Sequence, residues 1–180
     1  LRRKGWDSPL MLLGTGGLVL LLLAFVVLLY VYMRGNAKDI LDAANADYQA
    51  QSYTQAIAKY EKFLKNFAKD PNASFVRVRL GLAQLRSVVE GTRELRLALS
   101  KAKEVIPTIE NEERFGDARP ELAGILPDIA LGLSQQAKNL GATSEAKELV
   151  GLADQALELV KNPAYIPTSL RTSQQQRIDE

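Results

Sequence analysis

Residues 54–67 read TQAIAKYEKFLKNF. Apolar side chains stand at Ala56, Ile57, Tyr60, Phe63, Leu64 and Phe67, while Lys59, Glu61, Lys62 and Lys65 fall off that line. Apolar residues three and four apart share one face of an α-helix, so the spacing predicts an amphipathic helix. Just upstream, Ser52-Tyr53-Thr54-Gln55 has the form of a capping box, with Ser capping the helix and Gln reaching back. Before it, Ala37, Ile40, Leu41, Ala44 and Tyr48 repeat the spacing and predict a partner helix over 37–51, set off by Gly35-Asn36. Downstream, Asp70-Pro71-Asn72 stops the pair, because Pro cannot continue a helix.

The same pattern recurs toward the C-terminus. Phe75, Val78, Leu82, Leu85 and Val89 give one stripe, and Gly91-Thr92 a turn. Leu95, Ala98, Leu99, Ala102, Val105 and Ile106 give the next stripe, which Pro107 is expected to end. Thr108–Arg119, TIENEERFGDAR, is polar, acidic and aperiodic, which predicts an acidic linker over 107–119. Pro120 suits the first turn of a third pair. Its stripe is Leu122, Leu126, Ile129, Leu133 and Ala137, with Pro127 expected to kink it or mark its start. Gly141-Ala142-Thr143 reads as a turn before Ser144–Lys161, with Ala146, Leu149, Val150, Ala153, Leu157 and Val160 inward. Asn162-Pro163 stops that helix, and Pro167-Thr168-Ser169 opens a further one within 120–180. No sustained alternation or Asn-Gly hairpin signals a strand, so the expected fold class is all-α.

Ala43-Ala44, Tyr48, Tyr53-x-x-Ala56-Ile57, Tyr60 and Phe63-Leu64, followed by Pro71, resemble a tetratricopeptide repeat over about 30 residues. Phe63-Leu64-Lys65-Asn66-Phe67 with Pro71 and Ala73 is similar to the version in bacterial envelope proteins, such as outer-membrane assembly lipoproteins and Tol-system coordinators. Leu80-Gly81 resembles the Leu-Gly dipeptide of a second repeat, within a repeat-like region spanning 37–106. Two positions depart from the pattern: Gln51 stands where a turn Gly is usual, and Ala68 where Pro often follows the aromatic. The resemblance implies a short solenoid of helical hairpins whose concave face holds a protein or peptide partner.

Ahead of these pairs lies Ser8–Met33, SPLMLLGTGGLVLLLLAFVVLLYVYM, which contains no Asp, Glu, Lys, Arg or His. A bilayer core needs roughly 20 apolar helical residues, so the segment is long enough to cross with some tilt. Trp6 before it and Tyr30 and Tyr32 at its end suit the two interfaces. Gly14, Gly16 and Gly17 lack the four-residue spacing of a helix-dimer motif and read as ordinary glycines. Without charges the span is not expected to conduct ions or relay protons. Arg2, Arg3 and Lys4 precede it, and Arg34 and Lys38 follow it near Asp39 and Asp42. That bias predicts residues 1–7 as a cytoplasmic flank, 8–33 as the membrane helix, and an exported C-terminal part. The apolar run exceeds the usual signal-peptide core, so an uncleaved anchor is expected over a cleaved leader. The opening Leu and the helix still under way at Glu180 read as a fragment of a longer chain.

Composition narrows the chemistry. Formal charge is +2, and beyond Arg34 the chain carries 19 basic and 20 acidic residues, so nothing draws it as a whole to nucleic acid. There is no Cys and no His. That removes disulfides, common structural zinc sites and nucleophiles that need a His base. Glu110, Glu112, Glu113 and Asp117 offer carboxylates for acid–base work, but in a loop without apolar surroundings they read as solvated. Asn72-Ala73-Ser74 matches a glycosylation triplet, a pattern that arises readily by chance.

Charge is uneven locally. Between Lys59 and Lys103 there are 11 basic and four acidic residues. Lys59, Lys62, Lys65, Arg77, Arg79, Arg86, Arg93 and Arg96 are therefore the candidate binding face, for a protein or peptide partner or for anionic lipid headgroups. No nucleic acid, cofactor or metal is expected, and no catalytic residue. The expected function is a single-pass, membrane-anchored helical-repeat scaffold. The alternative is the anchor or spacer of a larger envelope enzyme or sensor whose catalytic domain lies outside these 180 residues.

Overall fold

The structure is a computed structural model that describes residues 9–91 and 94–170, with backbone alone at 9–17 and 32–35. The basic flank, Trp6 and residues 171–180, over which a further helix is expected to run, lie outside the described residues. The chain divides into two compact units, Leu1–Asp39 and Ile40–Glu180. Among the described residues the secondary structure is helical, with no strand.

Helix α1 runs Pro9–Gln49, so the backbone does not break at Gly35-Asn36 as the sequence predicts. In its first unit, every described side chain from Leu18 to Val31 is exposed, including Leu20, Leu21, Leu28 and Tyr30. A core helix of a water-soluble unit would bury such residues. This helix is long and apolar enough to cross a membrane.

The second unit holds the last turns of α1 and then α2 (Tyr53–Asn66), α3 (Ala73–Gly91), α4 (Leu95–Ile109), a short 3-10 helix (Phe115–Ala118), α5 (Arg119–Leu140) and α6 (Ser144–Lys161). From α2 onward each helix lies against the next, and α6 also touches α4. Short connections between helices force this serial packing of neighbours.

The local chemistry explains each boundary. At the end of α1, the Gln51 amide donates to the Tyr48 carbonyl and the Ser52 amide to the Asp47 carbonyl. Gln51 itself takes φ 59°. This is a Schellman termination, with Gln at the position that glycine usually fills. Ser52 makes no side-chain cap, so the expected capping box is not formed. Its carbonyl instead accepts the first amides of α2, from Gln55 and Ala56. Thr143, by contrast, caps α6 by accepting from the Ala146 amide at 3.1 Å.

Two prolines do not end their helices. α4 continues through Pro107 to Ile109, because Val105, Ile106 and Ile109 are all buried and their packing carries it another turn. α5 begins with Pro120 in its first turn, as expected, and passes through a buried Pro127 to Leu140. The segment expected as an acidic linker is built instead of the last turn of α4, a turn and the 3-10 helix. Buried Phe115 and Ala118 hold it in place.

The core follows from the stripes. α2 and α4 are one-sided, whereas α3 buries Val76 and Ala83 as well as Val78, Leu82 and Leu85. A helix that buries apolar residues on more than one face belongs between neighbours. α3 has α2 and α4 against it, with the 3-10 helix as a third contact. A continuous apolar cluster runs from Val78 and Leu82 through Leu99, Ile106, Leu122, Leu126 and Leu133 to Leu149, Val160 and Ile166. On α6, Ala156 is buried, whereas Val150, expected inward, is 50% exposed.

Candidate functional site

The last two turns of α1 bring Asn45 and Tyr48 toward the first two turns of α2. The Tyr60 hydroxyl donates to Asn45 Oδ1 at 2.7 Å. The Tyr48 and Tyr53 rings meet edge to face at 5.4 Å. Lys59 Nζ lies 2.6 Å from Asp47 Oδ2, an ion pair rather than an aligned hydrogen bond. These contacts keep the end of α1 against α2, and one polar edge is left open beside α3.

That edge is a cavity of about 540 Å³. Asn45, Tyr48 and Gln49 line it from α1, and Gln51 and Tyr53 from the following turn. Phe75, Arg79 and Arg86 line it from α3, and Glu121 from the first turn of α5. Two arginines against one carboxylate leave the lining with an excess of one positive charge.

Glu121 is the hub. It accepts from the Tyr48 hydroxyl on Oε2 and from Arg79 Nη1 on Oε1 at 2.8 Å. Arg86 Nε stands 3.6 Å from Oε2, an ionic contact without a hydrogen bond. Arg86 Nη1 donates instead to Glu90 at 3.1 Å, and Glu90 also accepts from the Tyr53 hydroxyl at 3.2 Å. The Arg79 guanidinium lies 5.0 Å from the Tyr48 ring centre and 5.4 Å from that of Phe75, within cation–π range. The side chains of Arg79, Arg86 and Glu121 are 27%, 30% and 23% exposed, so solvent reaches all three.

The electrostatics define what this arrangement can do. Burial, reinforced by Glu121, pushes the Tyr48 phenol well above its ordinary value. Burial likewise raises Tyr53, with Glu90 adding to it, and takes Tyr60 up to about 12. These phenols are neutral donors at neutral pH and cannot serve as bases there. Burial works against the Arg86 charge, but Glu121 and its neighbours outweigh it and hold the guanidinium charged. The cavity offers fixed cationic forks, amide side chains and ring faces.

The predicted basic residues do not share one surface. Arg79 and Arg86 line the cavity together. Lys62 and Lys65 are exposed on α2, and Lys59 is tied to Asp47. Arg77 pairs with Glu112 at the far side of α3, and Arg96 spans to Glu145 and Glu148 of α6. Arg93 lies outside the described residues.

The acidic residues of 107–119 are largely spent on contacts. Glu112 holds Arg77, Glu110 accepts from the Tyr165 hydroxyl at 2.8 Å, and Asp117 pairs with Arg114. Among the described residues, no group of three His, Cys, Asp or Glu side chains is placed to hold a metal ion. Sequence reasoning missed Glu121. Alone in the first turn of a helix, it has the ordinary look of an acid that complements the helix dipole. Its partners are 42 and 73 positions away, and nothing local announces them.

No protein-family model, no curated protein and no solved structure matches this chain.

Proposed function

We propose that this chain is a single-pass, membrane-anchored scaffold whose second unit is a divergent tetratricopeptide-like array that binds a protein or peptide partner. The cavity around Arg79, Arg86 and Glu121 carries this reading, because it pairs solvent-reached cationic forks with ring faces and holds no activated nucleophile. Few residues separate Met33 from Ile40, so chain connectivity alone keeps the binding unit close to the bilayer. The basic bias ahead of the span favours an exported binding unit, in a bacterial envelope as the repeat resemblance implies.

Two experiments test this. A photo-crosslinking side chain at Gln51, on the cavity rim, should yield a discrete adduct in native membranes. The same group at exposed Glu158 should not, and Arg79→Gln should abolish the Gln51 adduct. If Gln51 gives no adduct beyond the Glu158 background, the cavity is not a binding site. For orientation, the absence of cysteine makes Lys69→Cys a unique reporter. An impermeant maleimide should label it from outside the cytoplasmic membrane; labelling only after lysis reverses the topology.

A further inference from the structure

The two cavity arginines are already occupied by a carboxylate from the chain itself. Arg79 gives Nη1 to Glu121 and stacks on Tyr48 and Phe75, while its remaining N–H groups meet no acceptor among the described residues. Arg86 gives Nη1 to Glu90 and faces Glu121 across 3.6 Å without a hydrogen bond. A guanidinium carries five donors in a planar fork suited to carboxylates. Arg79 thus retains capacity for a second carboxylate, Arg86 holds Glu90 while its Nε makes no hydrogen bond to Glu121, and the 540 Å³ opening gives an incoming acid access. Glu121 shows which chemistry fits between them. Its hold rests on the Tyr48 hydroxyl and Arg79, and on a position in the first turn of α5.

We infer that Glu121 is an internal competitor, and that the partner presents an acidic side chain, Asp or Glu, which displaces Glu121 from Arg79 and Arg86. The inference rests on the binding role proposed above and deepens it. Binding then carries a built-in threshold. An isolated weak acid does not displace a carboxylate held at high local concentration, whereas an acidic cluster does. Surrounding amides from Asn45, Gln49 and Gln51 are placed to accept or donate along the incoming peptide.

The test uses the full chain in detergent micelles and fluorescein-labelled hexaglutamate, read by anisotropy at low salt, with hexaglutamine as the uncharged control. Glu121→Gln should bind hexaglutamate about tenfold more tightly than the unaltered chain, the scale expected when one charge-assisted competitor is removed. Tyr48→Phe, which removes only the phenol's hold on Glu121, should tighten binding by a smaller factor. It decides the matter if Glu121→Gln does not fold. Arg79→Gln/Arg86→Gln should abolish binding in either background. Unchanged or weaker binding in the folded Glu121→Gln and Tyr48→Phe variants overturns the competitor. Binding that survives loss of both arginines overturns the site. Binding to vesicles of anionic lipid but not to hexaglutamate overturns the peptide as ligand. If the Gln51 adduct forms but none of these variants alters it or the anisotropy, partner binding stands and its acidic chemistry fails. If neither signal appears, both fail.

Discussion

Gln51 stores strain in a single backbone torsion. A side chain at φ 59° crowds the following carbonyl, at a cost of roughly 1 kcal/mol or more that glycine avoids. Part of that gain is lost to glycine's greater freedom in the unfolded chain. Gln51→Gly should therefore stabilise the second unit by about 0.5–1 kcal/mol, read as a rise of a few degrees in a thermal melt. The two helix starts give an opposite pair. Thr143→Ala removes a formed cap bond and should cost about 1 kcal/mol. Ser52→Ala removes no cap bond and should stay within about 0.5 kcal/mol. From the sequence Thr143 reads as part of a turn, and only the Ser52 cap is expected, on its Ser-x-x-Gln pattern. The Schellman turn overrides it: once the Ser52 amide is committed to Asp47, the backbone leaves the geometry a capping box needs.

Between elements, close approach sets the energetics. A Cβ built on Gly81 meets Val105 Cγ1 and Ile109 Cγ2 at 2.9 Å. Both neighbours are β-branched and stiff, so they yield little. Gly81→Ala should destabilise by about 1–3 kcal/mol despite its better helix propensity. Gly151, in α6, meets nothing within 4 Å, so Gly151→Ala should stabilise by about 0.5–1 kcal/mol. Denaturant midpoints of the two variants, moving in opposite directions, check the pair. Most elements were legible from apolar spacing: α2, α5 and α6 lie where the stripes put them. The errors came where tertiary contact outweighs a local rule. Pro107 stays inside α4 because buried residues on both sides hold the turn. The expected linker is structured because Phe115, a lone aromatic without periodic partners, finds the core. The cavity was half legible. Its arginines lay in a visible basic run, but the carboxylate that groups them lies 42 and 35 residues beyond Arg79 and Arg86.

At the scale of the second unit, many of the charges among the described residues are arranged as discrete pairs. The Arg77–Glu112 pair ties α3 to the turn before the 3-10 helix. The Arg77 hydrogen bond holds the Glu112 carboxyl below its ordinary 4.5, and the Ser74 hydroxyl assists. A lowered carboxyl pKa stabilises the fold above the unfolded value and loses that contribution as pH falls through the folded one. Relative to Arg77→Gln, the unaltered chain should therefore be more stable at pH 7, and the difference should shrink below pH 4.5, as denaturant titrations at several pH values will show. A gap that stays constant down to pH 2 would assign the effect to packing of the Arg77 stem.

The Tyr48–Glu121 bond joins positions 73 apart, and α2, α3, α4 and the 3-10 helix all lie inside that loop. Closing so long a loop costs chain entropy that only the enclosed helices, once docked, can offset. The cavity is thus a checkpoint on folding, complete only when everything between its two ends is in place. During refolding, hexaglutamate binding by Glu121→Gln should return after the helical signal, never before it. A chain nicked anywhere in that loop, in a form that lets the pieces part, would keep most of its helix and lose its site.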